Sequence, residues 1–155
     1  MDLPAPGVPE AELSSAGYER SEDDTDTLAE LGPARAVGRT LVYERADAFF
    51  FASRVAIDPG LPPGGAAMLG STVFAAAARS FRDEIRERGA SDLDEAGTER
   101  LRVRTGERAR MRRYAAEIEG KRIRAAVCSW PREDEFRVAG GAGPEVPIEL
   151  VRDVD

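Results

Sequence analysis

Between residues 100 and 113 the chain reads RLRVRTGERARMRR, with an arginine at every second position on either side of a Thr-Gly pair. A guanidinium is permanently charged and presents its N–H donors as a planar fork that fits carboxylates and phosphates. On an extended chain, alternate residues share one face. Arg100, Arg102 and Arg104, with Arg108, Arg110 and Arg112, therefore form a candidate anion-binding row. Were the anion a nucleic acid, Trp130 or Tyr114 would be the side chain to stack on a base. Trp130, followed by Pro131, is also a candidate anchor for a protein partner, against the plainer reading of a partly buried strand end.

Other chemistries are thinly supplied. The chain has no histidine, which removes Ser-His-Asp and Cys-His catalysis and every His-bearing zinc site. Its one cysteine, Cys128, has no partner for an internal disulfide and no imidazole to activate it, and it reads as a small core residue. The glycine runs at 64–65 and 140–143 lack a following Lys-Ser/Thr, so neither is a phosphate-binding P-loop. Amides at the start of a helix after PPGGAAMLGST could face an anion, but a plain connection is the simpler reading. Asp92 with Asp94, and Glu133 with Asp134 and Glu135, carry groups that could hold Mg²⁺ or move protons. In so acid-rich a chain they read as solvated loop residues. No catalytic residue, metal or cofactor is assigned.

The arginine row needs a hairpin to support it. A two-residue turn at Thr105-Gly106 would set Leu101 and Val103 on the same face as Arg108 and Arg110. A three-residue loop, 104–106, instead pairs 103 with 107 and 101 with 109, so that Leu101, Ala109 and Met111 share a face. Register follows the apolar face, and Gly106 then falls where such a loop wants a left-handed residue. This register sets Arg102 opposite Arg108 and Arg100 opposite Arg110, and like charges directly opposed are destabilising. Residues 99–124 hold nine arginines and Lys121 against four glutamates, a net of +6, whereas 10–30 holds eight acids against Arg20, a net of −7. The expectation is that the acidic N-terminal third, or the helix, lies over the arginine face as an ion-pair network, or that the arginines are simply solvated.

The remaining elements follow from periodicity. Residues 1–9, with three prolines, read as an extended arm, and 10–16 as one or two helical turns stopped by Gly17. Residues 18–31 read as two short strands about a turn at Asp23-Asp24, and 34–47 as a strand. AFFFASRVAI (48–57) is apolar on both faces and reads as a central strand. Residues 58–67 form a Pro/Gly loop. Leu69, Val73, Ala77, Phe81 and Ile85 repeat every four residues and predict the main helix, about 69–88, with Ser71 or Thr72 capping it. Alternation then marks strands at 98–104, 107–119, 122–130 and 136–141. A change of phase after Met111 predicts a bulge near Arg112-Arg113. Residues 131–135 read as a turn, 140–147 as loop-like, and 145–155 as a short tail. The fold class is α+β: a mostly antiparallel sheet of about six or seven strands on one main helix, in a single domain over 1–155.

Composition bounds the setting. There are 21 arginines, one lysine, no Asn and no Gln, with a formal net charge of −7. Excess acid keeps a protein hydrated in concentrated salt, so a halophilic archaeal protein is expected, the alternative being an acidic protein of a G+C-rich bacterium. No signal peptide opens the chain, and Pro and Gly interrupt its most apolar stretch, so no membrane contact and a cytoplasmic location are expected.

The phrases FFFASRVAIDP, STVFAAAARSFRDEIRERG, TERLRV, RARMRRYAAEIE, RIRAAVCSW and EFRVAGGAGP, in that order over residues 40–144, resemble a group of uncharacterised haloarchaeal proteins similar to the PsbP-like fold. That resemblance implies an antiparallel sheet packed with helices and a binding or assembly role. It carries over no functional residue, and PEVPIELVRDVD stands where a longer final helix would close the sheet. The function expected is a non-catalytic, salt-adapted binding domain for a protein partner or for itself, through the sheet face holding Trp130 or the loops at 58–67 and 140–147. The first alternative is an anion or nucleic-acid binder using the six arginines; the second is an enzyme using Asp/Glu chemistry. In molar salt the Debye length is about 3 Å, which weighs against a purely electrostatic reader of nucleic acid.

Overall fold

A computed structural model describes residues 2–61 and 64–155. Pro62 and Pro63, within the loop expected at 58–67, and Met1 of the arm lie outside the described residues. In chain order the elements are α1 (Glu10–Ser15), β1 (Glu19–Leu31), β2 (Ala34–Arg45), β3 (Ala48–Asp58), α2 (Gly65–Glu87), β4 (Ser91–Arg102), β5 (Arg108–Ile118), β6 (Lys121–Arg132), β7 (Glu135–Gly143) and α3 (Ile148–Arg152). The strands make one antiparallel seven-stranded sheet, ordered β1-β2-β3-β7-β6-β5-β4. The chain builds one three-strand meander, crosses over through α2 and builds a four-strand meander from the far edge inward. β3 and β7 meet in the middle.

Alternation gives the sheet two apolar faces. Phe49, Val55 and Ile57 of β3 face α2 with Val127, Phe136 and Val138, and α2 lays Val73, Phe74, Ala77, Phe81 and Ile85 upon them. Phe50 and Ala52 point the other way, with Leu41, Met111, Cys128 and Trp130. Leu13 and Tyr18 cover that second face from the N-terminal side, and Val151 and Val154 from the C-terminal side. The short proline-broken tail thus does close a layer, because it shares the work with α1 and the arm. Main-chain bonds tie the two ends together: Gly7 N–H donates to Asp155 O (2.5 Å) and Asp155 N–H donates to Gly7 O (2.9 Å).

α1 ends as expected. Gly17 has φ 86°, Gly17 N–H donates to Ser14 O (3.0 Å), and Tyr18 N–H donates to Leu13 O (3.0 Å), the paired bonds that satisfy the last carbonyls of a helix. α2 begins four residues earlier than periodicity indicates. Its N-cap is Gly64 at φ 80°, with no side-chain cap bond, and Ser71 and Thr72 lie inside the helix. Three strand expectations need correction. Residues 19–31 form one edge strand rather than two, kinked by register shifts between Arg20 and Glu22 and between Thr27 and Ala29. The change of phase in β5 is no bulge. β5 pairs with β6 without a slip; the irregularity lies on β4, between Glu95 and Gly97. Ala109 and Met111 fill the second face while Tyr114 fills the α2 face, so the strand is apolar on both sides at different points. The last strand, expected at 136–141, runs on through Ala142 and Gly143, which read as loop.

Candidate functional site

The β4–β5 hairpin adopts the three-residue loop. Val103 N–H donates to Glu107 O (3.0 Å), Gly106 N–H donates to Val103 O (2.9 Å), and Gly106 has φ 103°. Leu101 pairs with Ala109, Arg100 with Arg110 and Arg102 with Arg108. The face these arginines share is the α2 face. The Arg110 Nη2 atom lies 3.7 Å from where a Cβ on Gly70 would stand, and the Arg112 guanidinium lies 5.1 Å from the centre of the Phe74 ring.

The six candidate arginines fall into three groups. Arg100, Arg102, Arg108 and Arg110 form a ladder two residues wide and two deep. Among the described residues none of the four has an acidic partner; Arg102 only reaches back to Gly106 O (2.8 Å). Arg112 is drawn in beneath the helix by Phe74 and lies 3.7 Å from Glu95. Arg104 leaves the row for the C-terminal layer, where it pairs with Asp153 at 2.5 Å.

The acidic cover expected over this ladder is absent, for a topological reason. β1, which carries Glu19, Glu22, Asp23, Asp24, Asp26 and Glu30, is one edge of the sheet, and β4 is the other. Six strand spacings of about 4.8 Å separate them by about 29 Å along the sheet. α2 cannot substitute, because its first turn carries no acid. Asp23 is spent elsewhere, bonded by Arg39 (2.8 Å), which holds its carboxyl below the ordinary value.

The remaining candidates are buried or committed. Trp130 is 1% exposed within the second core and offers no surface to a partner or a base; Tyr114 is buried under Phe81. The partner-anchor reading of Trp130 is therefore corrected: on β6 its position faces the layer that α1 and α3 close. Burial pushes the Cys128 thiol up to about 12, so it is an inert core residue. Glu135 binds Arg54 (2.7 Å) and Arg137 (3.3 Å), while Asp92 and Asp94 are exposed. Among the described residues no group of three or more His, Cys, Asp or Glu could hold a metal ion, and no helix is long and apolar enough to cross a membrane.

A cleft of about 230 Å³ between α2 and the β1–β3 side of the sheet went unanticipated. Its lining comes from five elements, and no run of adjacent residues announces it.

No curated protein and no solved structure gives a significant match to this chain. A family model does match, from residue 5 to residue 155, and the chain belongs to the family it describes, a domain of unknown function, DUF6517.

Proposed function

We infer that this chain is a non-catalytic interaction domain, adapted to concentrated salt, that docks an acidic protein surface on the ladder of Arg100, Arg102, Arg108 and Arg110. The observation that carries this reading is the ladder itself: two cross-strand arginine pairs, left without acidic partners among the described residues. Opposed like charges cost stability, so a partner that supplies carboxylates would recover it. An arginine fork takes a carboxylate in two parallel bonds, a contact interaction that survives screening better than long-range attraction does.

Two features favour protein over nucleic acid. Both aromatic side chains that could stack on bases are buried. Met68, in the first turn of α2, is 82% exposed, and a flexible apolar side chain left on the surface suits a protein interface.

The test is fluorescence anisotropy with a labelled Glu/Asp-rich peptide and labelled single- and double-stranded oligonucleotides. Measurements run from about 0.15 M KCl to above 1 M, as the Debye length falls from about 8 Å to 3 Å or less. Four exposed pairs at about 0.3–0.7 kcal/mol each predict that the quadruple Arg→Gln variant loses about ten- to a hundredfold in affinity for the peptide. Tighter binding of the oligonucleotides would move the reading to nucleic acid. If the variant and the parent bind alike, the ladder is not the docking surface.

A further inference from the structure

The cleft between α2 and the β1–β3 side of the sheet owes its existence to side-chain size. Gly38, Thr40 and Ser53 form part of its floor, whereas Phe51 and Val55 of the same face are large. Two clamps hold α2 above this hollow. Leu28 and Leu31 of β1 pack on the α2-side core at one end. At the other, Arg88 bonds Glu44 (2.7 Å) and lies 3.9 Å from the centre of the Phe49 ring. The space is therefore fixed by the packing around it.

Its chemistry is divided. Phe51 and Phe81 are stacked obliquely with ring centres 5.6 Å apart and give an aromatic wall. In the floor the Thr40 and Ser53 hydroxyls share one hydrogen bond of 2.6 Å, leaving one hydroxyl hydrogen and spare lone pairs for a guest. The charged lining is mostly acidic: Asp24 and Asp26 from β1, and Glu84 from α2. The one cation there, Arg88, is engaged by Glu44 at 2.7 Å and lies 3.8 Å from Glu84. Burial pushes the Glu84 carboxyl above its ordinary value; Arg88 opposes this, while Glu87, Glu22 and Glu44 add to it. The volume equals that of about eight waters, enough for one small ring with a short substituent.

We propose that this cleft binds a small organic cation: an ammonium or guanidinium head carried on a compact aryl or alkyl body. The body lies against Phe51 and Phe81. The head meets Asp24, Asp26 and Glu84, with the aromatic faces adding attraction. An anion of the same shape meets three carboxylates and is rejected. The site is independent of the arginine ladder. Gly70 and Phe74 face the ladder from one flank of α2, and Ser80 and Glu84 face the cleft from the other.

Calorimetric titration and ligand-observed NMR with three shape-matched probes test this: phenethylammonium, 2-phenylethanol and 3-phenylpropionate. For ligands of this size the cation should bind at about 1 mM, with the carboxylate at least about tenfold weaker. Ser53→Val, which adds bulk to the floor and removes its hydroxyl, should weaken binding of the cation. Asp24→Asn with Asp26→Asn, on an exposed edge strand where folding is not at risk, should weaken the cation at least about threefold and leave the alcohol unchanged. Equal binding of all three probes, no saturation by any of them, or unchanged cation binding in the Asp24→Asn/Asp26→Asn protein would each overturn the proposal.

Discussion

Arg110 is half sheltered by the first turns of α2, yet its only charged cross-strand neighbour is another arginine. A side chain placed for stability alone would not be set this way, since threonine or valine suits such a strand position better. The arrangement makes a stability prediction whose sign is informative. Arg100 and Arg108 are both exposed and come one from each of the two opposed pairs. Replacing both with threonine should raise stability by about 0.4–2 kcal/mol in chemical denaturation at low salt, because each of the two opposed pairs costs about 0.2–1 kcal/mol. The gain should shrink as salt rises. A loss of stability would mean that the ladder is held by contacts within the chain and is not waiting for a partner. Parts of this picture were legible in the sequence. Leu101, Ala109 and Met111 demand a common face, which sets the loop length and with it the pairing of Arg100 and Arg102. The fates of Arg104 and Arg112 were not legible, because Asp153 and Phe74, which divert them, are distant in sequence.

The strand that best resisted reading is β7. Periodicity carries FRVAGG, but two more residues, Ala142 and Gly143, continue it through the middle of the sheet. Glycine is ordinarily a poor strand former, so a Gly-Gly-Ala-Gly run reads as loop. The physical reason for it is close approach. A Cβ on Gly140 would stand 2.2 Å from Ala126 O, and one on Gly141 would stand 2.3 Å from Phe49 O. These are main-chain atoms of the two flanking strands and cannot swing aside. Gly140→Ala should therefore cost about 3 kcal/mol or more, as overpacking at a rigid site does, or prevent folding altogether. Gly38→Ala is the control: its Cβ would meet nothing closer than 3.5 Å, an ordinary contact, so its urea midpoint should shift little. Equal effects of the two would show that glycine serves β7 for some other reason. β1 misled in the opposite way. Its acids suggested a turn at Asp23-Asp24, but an edge strand solvated along one side tolerates carboxylates.

Strand order is the property of the whole molecule that no local pattern announces. Helix, strands and pairing within each meander follow from periodicity, yet only the long crossover through α2 sends β4 to the opposite edge from β1. That single topological fact separates the acidic strand from the arginine hairpin and leaves both available. The second apolar face likewise needs both chain ends at once, from Val8, Leu13, Val151 and Val154. Deleting residues 148–155 should lose about 3–6 kcal/mol, from the two fully buried valines at about 1.5–3 kcal/mol each. It should also shift Trp130 emission to the red as water reaches the second face. Unchanged emission would mean that α3 is dispensable to that core. The reciprocal main-chain bonds between Gly7 and Asp155 also give the protein a mechanical character. A pull on the two ends loads this clasp before it loads any strand of the sheet. Under tension the arm and α3 should peel away first, at low force, while the seven strands stay paired. The covering of one face would then act as a latch that stretching opens, laying bare Trp130 and its neighbours on an otherwise intact scaffold.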